Sequence, residues 1–211
     1  MGILNKQLFS SIAFKASKLI DSFNAQNLAN TAWAYAVAVV NVPTLFNDDF
    51  IAACVEKIDE SSVEQLLQLH QWHLWQTREM SRNGLPEALK NLCFKAFVSR
   101  DTNESTLQKN VVAQLSAIGL DPEEEFVLDG GSGYSIDAIV KVDRRTIGVE
   151  VDGPSHFIGR NKSPRGSTIL KRRQVQAIDG IELVSVPYWE WDALGSDERK
   201  EEEYLRRLLK L

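Results

Sequence analysis

The sequence predicts an α+β chain in two parts: α-helical hairpin repeats over residues 1–99, and an α/β domain with a small mixed sheet over residues 100–211. Two observations support this prediction. Apolar residues keep helical spacing through the first part, and their pattern recurs after 37 or 38 residues. The second part contains stretches of strict alternation, which is typical of half-buried strands, and these are flanked by helical patterns.

The repeat in the first part is a helical hairpin. The pattern of residues 8–40 recurs in residues 45–74, so that Leu8 falls on Leu45, and a further short helix is predicted at Leu85–Phe97. A hairpin period in this range is typical of a solenoid. Two copies are few, so the pattern also fits the last repeats of a longer array.

Aromatic and histidine side chains of this part lie on apolar helix faces. The aromatic ones are Trp33, Tyr35, Trp72 and Trp75. Core packing is the favoured interpretation, and base stacking on RNA is the alternative. His70 and His73 lie three residues apart on one helix, but no acid or cysteine is close in sequence, which favours packing over metal binding.

Composition narrows the class of protein. The net charge of −5 argues against a uniformly basic nucleic-acid binder, and no apolar run is long enough to cross a bilayer. The two cysteines, Cys54 and Cys93, lie in separate helical stretches without metal-type spacing, which predicts core thiols in a reducing compartment. No secretory segment or clear organellar transit peptide is visible at the start.

The second part predicts the order helix, three strands, helix, strand, helix. Such an order gives an α/β arrangement in which the last strand joins the sheet through a crossover. The predicted elements are a helix at 104–118, a strand at 125–128, a hairpin within 135–157, a helix through Leu170 to Ile178, a strand at 181–187 and a charged final helix.

The hairpin SIDAIVKVDRRTIGVEVDGPSHF, residues 135–157, places acids together. With a two-residue turn at Asp143 and Arg144, Asp137 lies directly opposite Glu150, Asp152 shares their face, and the other face is aliphatic. Opposed like charges are unfavourable, so a bound Mg²⁺, a basic side chain or a raised pKa must offset them. The alternative is a solvated sheet face with scattered acids.

A run of basic residues follows this hairpin. It contains six cations and no acid: Arg160, Lys162, Arg165, Lys171, Arg172 and Arg173. A basic patch on an acidic chain indicates an anionic partner. The alternative is a solvated loop and helix start.

Several motifs resemble a known family. Three segments resemble the RAP domain: VEVDGPSHF, LKRRQVQAIDG and LVSVPYWEWDAL. A fourth segment fits the start of the same domain, STLQKNVVAQLSAIG. NLANTAWAYAVA and QLLQLHQWHLWQ resemble the helical repeats that accompany this domain in octotricopeptide-type and FAST-kinase-related proteins. The resemblance implies work on RNA in mitochondria or chloroplasts, in transcript stability, processing or ribosome-associated roles.

The same resemblance implies a restriction-endonuclease-like fold of the PD-(D/E)xK type. In such nucleases an Asp and a Glu bind Mg²⁺, which activates water, and Asp137 and Glu150 match those two positions. This chain departs from the pattern because Asp152 stands where the nucleases have Lys. Lys171 or Arg173 would replace the missing cation, and His156 would act as a general base or contact RNA.

Three functions follow, in order of preference. The first is binding of single-stranded RNA by the repeats, with phosphates neutralised by Arg160, Lys162, Arg165, Lys171, Arg172 and Arg173. The second is a Mg²⁺-dependent endoribonuclease that holds the metal with Asp137, Glu150 and Asp152, assisted by His156 and Lys171. The third is a structural subunit of an organellar ribonucleoprotein, in which the carboxylates only hold the loop after the second hairpin strand.

Overall fold

The structure, a computed structural model, describes residues 5–100, 104–128, 131–159 and 162–211. The chain divides into two compact units, Met1–Arg100 and Asp101–Leu211. The first unit is helical and the second combines helices with a small mixed sheet, so the predicted two-part α+β class is confirmed.

Helical hairpins build the first unit. Its helices are α1 (Lys6–Ala16), α2 (Ala25–Ala38), α3 (Asp48–Glu56), α4 (Val63–Leu74) and α5 (Glu87–Val98). Short 3-10 turns at Ile20–Ser22 and Ile58–Glu60 precede α2 and α4, and a π-helical turn at Trp75–Glu79 continues α4.

Equivalent positions of the two predicted repeats lie side by side on α2 and α4. The side chain of Gln68 donates to Asn30 Oδ1 at 3.1 Å, and Trp33 Nε1 donates to Gln71 Oε1 at 2.8 Å. Each of these hydrogen bonds joins residues 38 positions apart, which is the period that the sequence predicts. The repeat seen in the sequence therefore corresponds to two helical hairpins that pack against each other.

Aromatic side chains fill the core of this unit. Tyr35, Trp72 and Trp75 are buried, and the Phe46 ring contacts all three at centroid distances between 5.3 and 6.2 Å. Core packing is confirmed for these three residues. Trp33 is only half-buried, and its indole is held by the hydrogen bond to Gln71.

The two histidines of α4 serve packing and a local hydrogen bond. The His70 ring lies 4.5 Å from the Phe97 ring, and His73 Nδ1 accepts from the backbone N–H of Leu85 at 3.0 Å. Burial lowers the pKa of His73 to about 4, so its ring is neutral near pH 7. Cys54 and Cys93 are free and buried, and burial raises the pKa of each thiol to about 12.

A four-stranded sheet organises the second unit. In chain order the elements are α6 (Thr106–Ala117), β1 (Glu123–Val127), β2 (Ser135–Val142), β3 (Arg145–Asp152), β4 (Phe157–Ile158), β5 (Ser163–Pro164), α7 (Gly166–Ile178), β6 (Glu182–Pro187), α8 (Tyr188–Asp192) and α9 (Glu198–Leu209). The sheet order is β1-β2-β3-β6. The first three strands are antiparallel, and β6 joins β3 in parallel after the crossover through α7, as predicted.

Apolar packing covers the aliphatic face of the sheet. Val111 and Leu115 of α6, together with Leu205 of α9, pack in one core with the inward residues of β2 and β3. Glu150 and Asp152 on the other face are buried as well. The alternative of a solvated acidic face is therefore wrong, because Lys171 and Arg172 of the crossover helix α7 reach these buried carboxylates.

Strands β3 and β6 end together. Asp152 pairs with Pro187, the last residue of β6, so the loop after β3 and the start of α8 emerge at the same edge of the sheet. The carboxyl ends of neighbouring parallel strands are the place where open α/β sheets bind ligands. The short ribbon of β4 and β5, which the sequence did not predict, lies within the segment that leaves this edge. No helix in the described part of the chain is both long and apolar enough to cross a bilayer.

Candidate functional site

The predicted hairpin register is confirmed up to the acidic cluster. Asp143 and Arg144 form the turn, and the regular pairing of β2 with β3 runs as far as Ala138 opposite Val149. The next predicted pair, Asp137 opposite Glu150, is not among the paired residues. Instead Asp137 Oδ2 accepts the backbone N–H of Val151 at 2.7 Å. A side-chain carboxylate thus takes the place of a backbone acceptor, and the ladder ends there.

Glu150 and Lys171 form a buried ion pair between β3 and α7. Lys171 Nζ donates to Glu150 Oε2 at 2.7 Å, and the Glu150 side chain is only 5% exposed. Burial raises the pKa of Glu150 to about 7, against the lowering effect of the Lys171 charge, and the nearby charge of Asp137 raises it further. Burial also raises the pKa of Asp137, where the Lys171 charge acts in the opposite direction.

Asp152 lies at the centre of a second group of partners. Arg172 and the Ser185 hydroxyl both donate to its Oδ2 atom, and His156 Nδ1 lies 2.9 Å from its Oδ1 atom. Burial by itself would raise the pKa of Asp152, but the hydrogen bonds from His156 and Ser185 and the Arg172 charge lower it on balance. The hydrogen bond to Asp152 in turn raises the pKa of His156.

The repulsion between the three carboxylates is therefore relieved in two of the three ways that the sequence predicts, by basic side chains and by raised pKa values. Basic side chains of α7 pair with Glu150 and Asp152, and the pKa values of Asp137 and Glu150 are raised. The crossover helix supplies both cations from adjacent positions, Lys171 and Arg172. The sequence predicted Lys171 or Arg173 for this role, and it placed Lys171, Arg172 and Arg173 alike among the RNA contacts. The second cation that pairs with these acids is Arg172.

Whether this cluster fits a divalent cation depends on which carboxylate oxygens are not already bonded to a protein donor. Asp152 has Arg172 and Ser185 on one oxygen and His156 on the other, so it does not fit as the third ligand of the predicted set. No three Asp, Glu, His or Cys side chains among the described residues form a group that could hold a metal ion. Glu150 Oε1 is buried and has no hydrogen-bond partner among those residues, and Asp152 Oδ1 is a second such atom, with His156 Nδ1 standing 2.9 Å away. Because that nitrogen occupies the place beside Asp152 Oδ1, Glu150 and Asp137 are the carboxylates that remain for a cation.

The basic run divides into inward and outward members. Lys171 and Arg172 face the carboxylates, and Arg173 is half-buried on α7. Lys162 and Arg165 are exposed in the segment that leaves the end of β3. Arg160, another predicted RNA contact, lies outside the described residues. Because the charges of Lys171 and Arg172 are paired inside the unit, the outward part of the run is smaller than the sequence suggested.

Aromatic side chains join these exposed cations in what we call the edge surface, which comprises Lys162, Arg165, the half-buried Tyr188 and Trp189, and the buried Phe157 ring that contacts Trp189. The Trp189 ring lies 4.4 Å from the Phe157 ring and 5.2 Å from the Tyr188 ring, and Lys162 Nζ stands 4.5 Å from the centroid of Trp189. Arg165 Nε donates to the Phe157 carbonyl at 3.3 Å.

Sequence reasoning missed some residues of this region. Ser185 stands opposite Glu150 in the register of β3 with β6, and its hydroxyl donates to Asp152. The only feature of the sequence that pointed to its position was the strand predicted after the crossover helix. Buried Tyr134 donates its hydroxyl to Gln174 of α7 at 2.8 Å, a contact between residues 40 positions apart that no local pattern indicates. Tyr188 and Trp189 lie within the motif LVSVPYWEWDAL, whose resemblance to the RAP domain predicts no role for either residue.

The fold and this cluster define a small α/β domain whose charged side chains meet under one crossover helix. Residues 149–208 match the RAP domain, from within β3 to within α9. The chain is also 31% identical over 213 residues to "RAP domain-containing protein, chloroplastic" of Oryza sativa subsp. japonica, an alignment that covers 95% of this chain and 32% of the rice protein. The second unit thus contains a RAP domain, and the chain spans about a third of the length of the rice relative.

Proposed function

We propose that this chain is an RNA-binding protein of organellar RNA metabolism, acting on single-stranded RNA in transcript stability, processing or ribosome-associated steps. The RAP domain at residues 149–208 supports the link to RNA. The name of the rice relative, which describes that protein as chloroplastic, supports an organellar setting. Chloroplast and mitochondrion both remain within the proposal.

One observation carries the proposal: exposed cations and aromatic rings share the edge surface. Lys162 and Arg165 are exposed beside Trp189, whereas the acids at the end of β3 are buried and paired with cations of α7. The positive charges of Lys162 and Arg165 therefore face outward, and the negative charges of Glu150 and Asp152 are paired inside the unit. This combination of cations and aromatic rings is the one that binds single-stranded nucleic acid.

Removing the two outward cations tests the proposal. The double variant Lys162→Ala/Arg165→Ala should bind a labelled single-stranded RNA about tenfold more weakly at about 0.1 M salt. With two fewer cations on the phosphates, binding releases fewer counterions from the RNA. The slope of log affinity against log salt should become shallower by about 1.4. Fluorescence anisotropy across a salt series measures both quantities.

A matched control separates these two cations from net charge. Lys109 of α6 and Lys200 of α9 are exposed lysines of the same unit, each with 62% side-chain exposure. The variant Lys109→Ala/Lys200→Ala changes the net charge equally and should leave the salt slope unchanged. Equal weakening by both double variants would contradict an RNA site at the edge surface.

A Mg²⁺-dependent ribonuclease is the second candidate function. The buried Glu150 Oε1, which lacks a hydrogen-bond partner among the described residues, is the observation that favours it. Bound Mg²⁺ would supply an activated water, with Asp137 and Glu150 as the residues to hold the ion. The engagement of Asp152 by Arg172 and His156 disfavours it.

Incubation with labelled single-stranded RNA in Mg²⁺, Mn²⁺ or EDTA distinguishes the candidates. We expect the parent protein and Glu150→Gln to retain intact RNA in all three conditions. Metal-dependent cleavage by the parent alone would establish the ribonuclease instead. If neither protein bound or cut RNA, a structural subunit of an organellar ribonucleoprotein would become the favoured function.

A further inference from the structure

We propose that the edge surface is a site for one unstacked nucleotide of single-stranded RNA, with the base on the ring of Trp189 and an adjacent phosphate on Lys162 and Arg165. The inference rests on the proposed RNA-binding function and adds which residues hold the base and the phosphate of one nucleotide. It concerns the RAP domain itself and does not involve the helical repeats.

The arrangement around Trp189 leaves room for a flat partner. Phe157 and Tyr188 meet the indole at 67° and 82°, so neither ring is stacked parallel to it. Lys162, an exposed side chain, has its ammonium 4.5 Å from the indole centroid. A flexible lysine therefore covers a ring face at the protein surface, and a base can stack there when this side chain turns towards a phosphate.

Arg165 is fixed where a phosphate of that nucleotide would lie. Its Nε atom donates to the carbonyl of Phe157, the residue whose ring contacts Trp189, and its backbone N–H donates to the His156 carbonyl at 2.8 Å. These two hydrogen bonds hold the residue beside the aromatic group while its side chain stays exposed. A guanidinium held in this way binds phosphate oxygens without first losing much rotamer freedom.

The chemistry selects single-stranded RNA over a duplex. A base inside a helix is already stacked on its neighbours, so it cannot also lie flat on a protein ring unless it is unpaired or flipped out. Stacking on an aromatic ring tolerates any base, because every base has a π-face. The site should therefore distinguish strands by pairing state and contribute little to the choice of sequence.

Three RNA probes of about 12 nucleotides test the inference: a mixed-sequence single strand, the same strand annealed to its complement, and an abasic ribose-phosphate chain. Trp189→Ala should weaken binding of the single strand about tenfold and leave binding of the abasic chain unchanged. Trp189→Phe should restore most of the affinity, because it retains a stacking ring. Lys162→Ala/Arg165→Ala should weaken binding of both chains.

The outcomes separate this inference from the proposed function. If Lys162→Ala/Arg165→Ala weakens binding but Trp189→Ala does not, the protein binds RNA through phosphates and the nucleotide site is overturned. Equal loss by Trp189→Ala on the single strand and the abasic chain would also overturn it, since a merely structural tryptophan predicts that result. The nucleotide site would also be overturned if the parent protein bound the duplex more tightly than the single strand. Absence of binding to all three probes would defeat the proposed function as well.

Discussion

Replacing Lys171 with Met is expected to lower the free energy of unfolding of the second unit by about 2 kcal/mol at about pH 8.5, because the buried carboxylate of Glu150 then has to take up a proton well above its folded pKa of about 7. Lys171 Nζ lies 2.7 Å from Glu150 Oε2, and the Glu150 side chain is almost fully buried. Methionine keeps most of the lysine stem but has no charge or donor. Urea denaturation, followed by circular dichroism and by tryptophan fluorescence, measures the change.

The loss should depend on pH in a defined direction. The pKa of Glu150 is raised from 4.5 to about 7, so the folded state binds this proton more tightly than the unfolded state does. At about pH 6 Glu150 is mostly protonated and needs no cation, so the cost of Lys171→Met should be small there. At about pH 8.5 the parent holds an ion pair, and the variant must bury a bare carboxylate or take up a proton.

The parent protein should show a related pH dependence. Because the folded pKa of Glu150 is raised, its contribution makes stability fall as pH rises from 4.5 to about 7. The pKa of His156 is raised above 6.5, so its stabilising contribution is complete below that value and is lost as pH rises through the folded pKa. Asp152 has a lowered pKa, and its contribution is lost only as pH falls through the folded value, below 3.8.

A double variant provides the control for Lys171→Met. Replacing both partners, as Glu150→Leu with Lys171→Met, removes the ion pair without leaving a buried charge, and such replacements are often neutral or stabilising. We expect the double variant to be more stable than Lys171→Met at about pH 8.5 and to lose the part of the pH dependence that comes from Glu150, while the part from His156 remains. A single variant that costs less than about 1 kcal/mol at both pH values would show that the pair contributes no more than an exposed one.

The ion pairs also connect the carboxylate cluster to the edge surface. Arg165 is the N-cap residue of α7, the helix that carries Lys171 and Arg172. The Arg165 backbone N–H and the Thr168 hydroxyl both donate to the His156 carbonyl, at 2.8 and 3.3 Å. The ion pairs between α7 and β3, together with these two hydrogen bonds, therefore hold the start of the helix against the loop after β3. Arg165 is thereby held beside the carboxylate cluster.

How far the sequence could predict this arrangement depends on the range of each interaction. The strand order and the hairpin register follow from alternation and a two-residue turn, which are local signals. The departure of Asp137 from the ladder depends on the Val151 N–H, a donor on the other strand. Lys171 and Arg172 differ from the exposed cations because they lie on the side of α7 that faces β3. A short basic run does not encode how the helix is rotated about its axis.

The edge surface was harder to predict for the same reason. Its members come from β4, the segment before α7, and the start of α8, and they meet because β3 and β6 end at the same level. A parallel pair joined by a crossover brings together residues that are about thirty positions apart, whose joint role no window of sequence displays. Only the three-dimensional position of the Trp189 ring beside Lys162 makes this tryptophan a candidate.

The second large effect is expected in the helical unit, where Trp72→Ala should lower the free energy of unfolding by about 3–5 kcal/mol. Trp72 is 1% exposed, and its ring lies 5.3 Å from Phe46 and 5.2 Å from Phe50. Phe46 also contacts Tyr35 of the preceding hairpin at 5.4 Å, so a cavity at Trp72 weakens packing within one repeat and against its neighbour.

This substitution also tests base stacking, the alternative role for the tryptophans of the helical unit. A buried ring cannot stack on RNA, so Trp72→Ala should leave RNA affinity unchanged at a temperature where circular dichroism shows that the variant is folded. Trp33→Ala is the matched control, because this tryptophan is half-buried and its indole donates to Gln71. It should destabilise less than Trp72→Ala, since less apolar area leaves the core. Loss of RNA affinity in folded Trp72→Ala would mean that this core opens to the RNA.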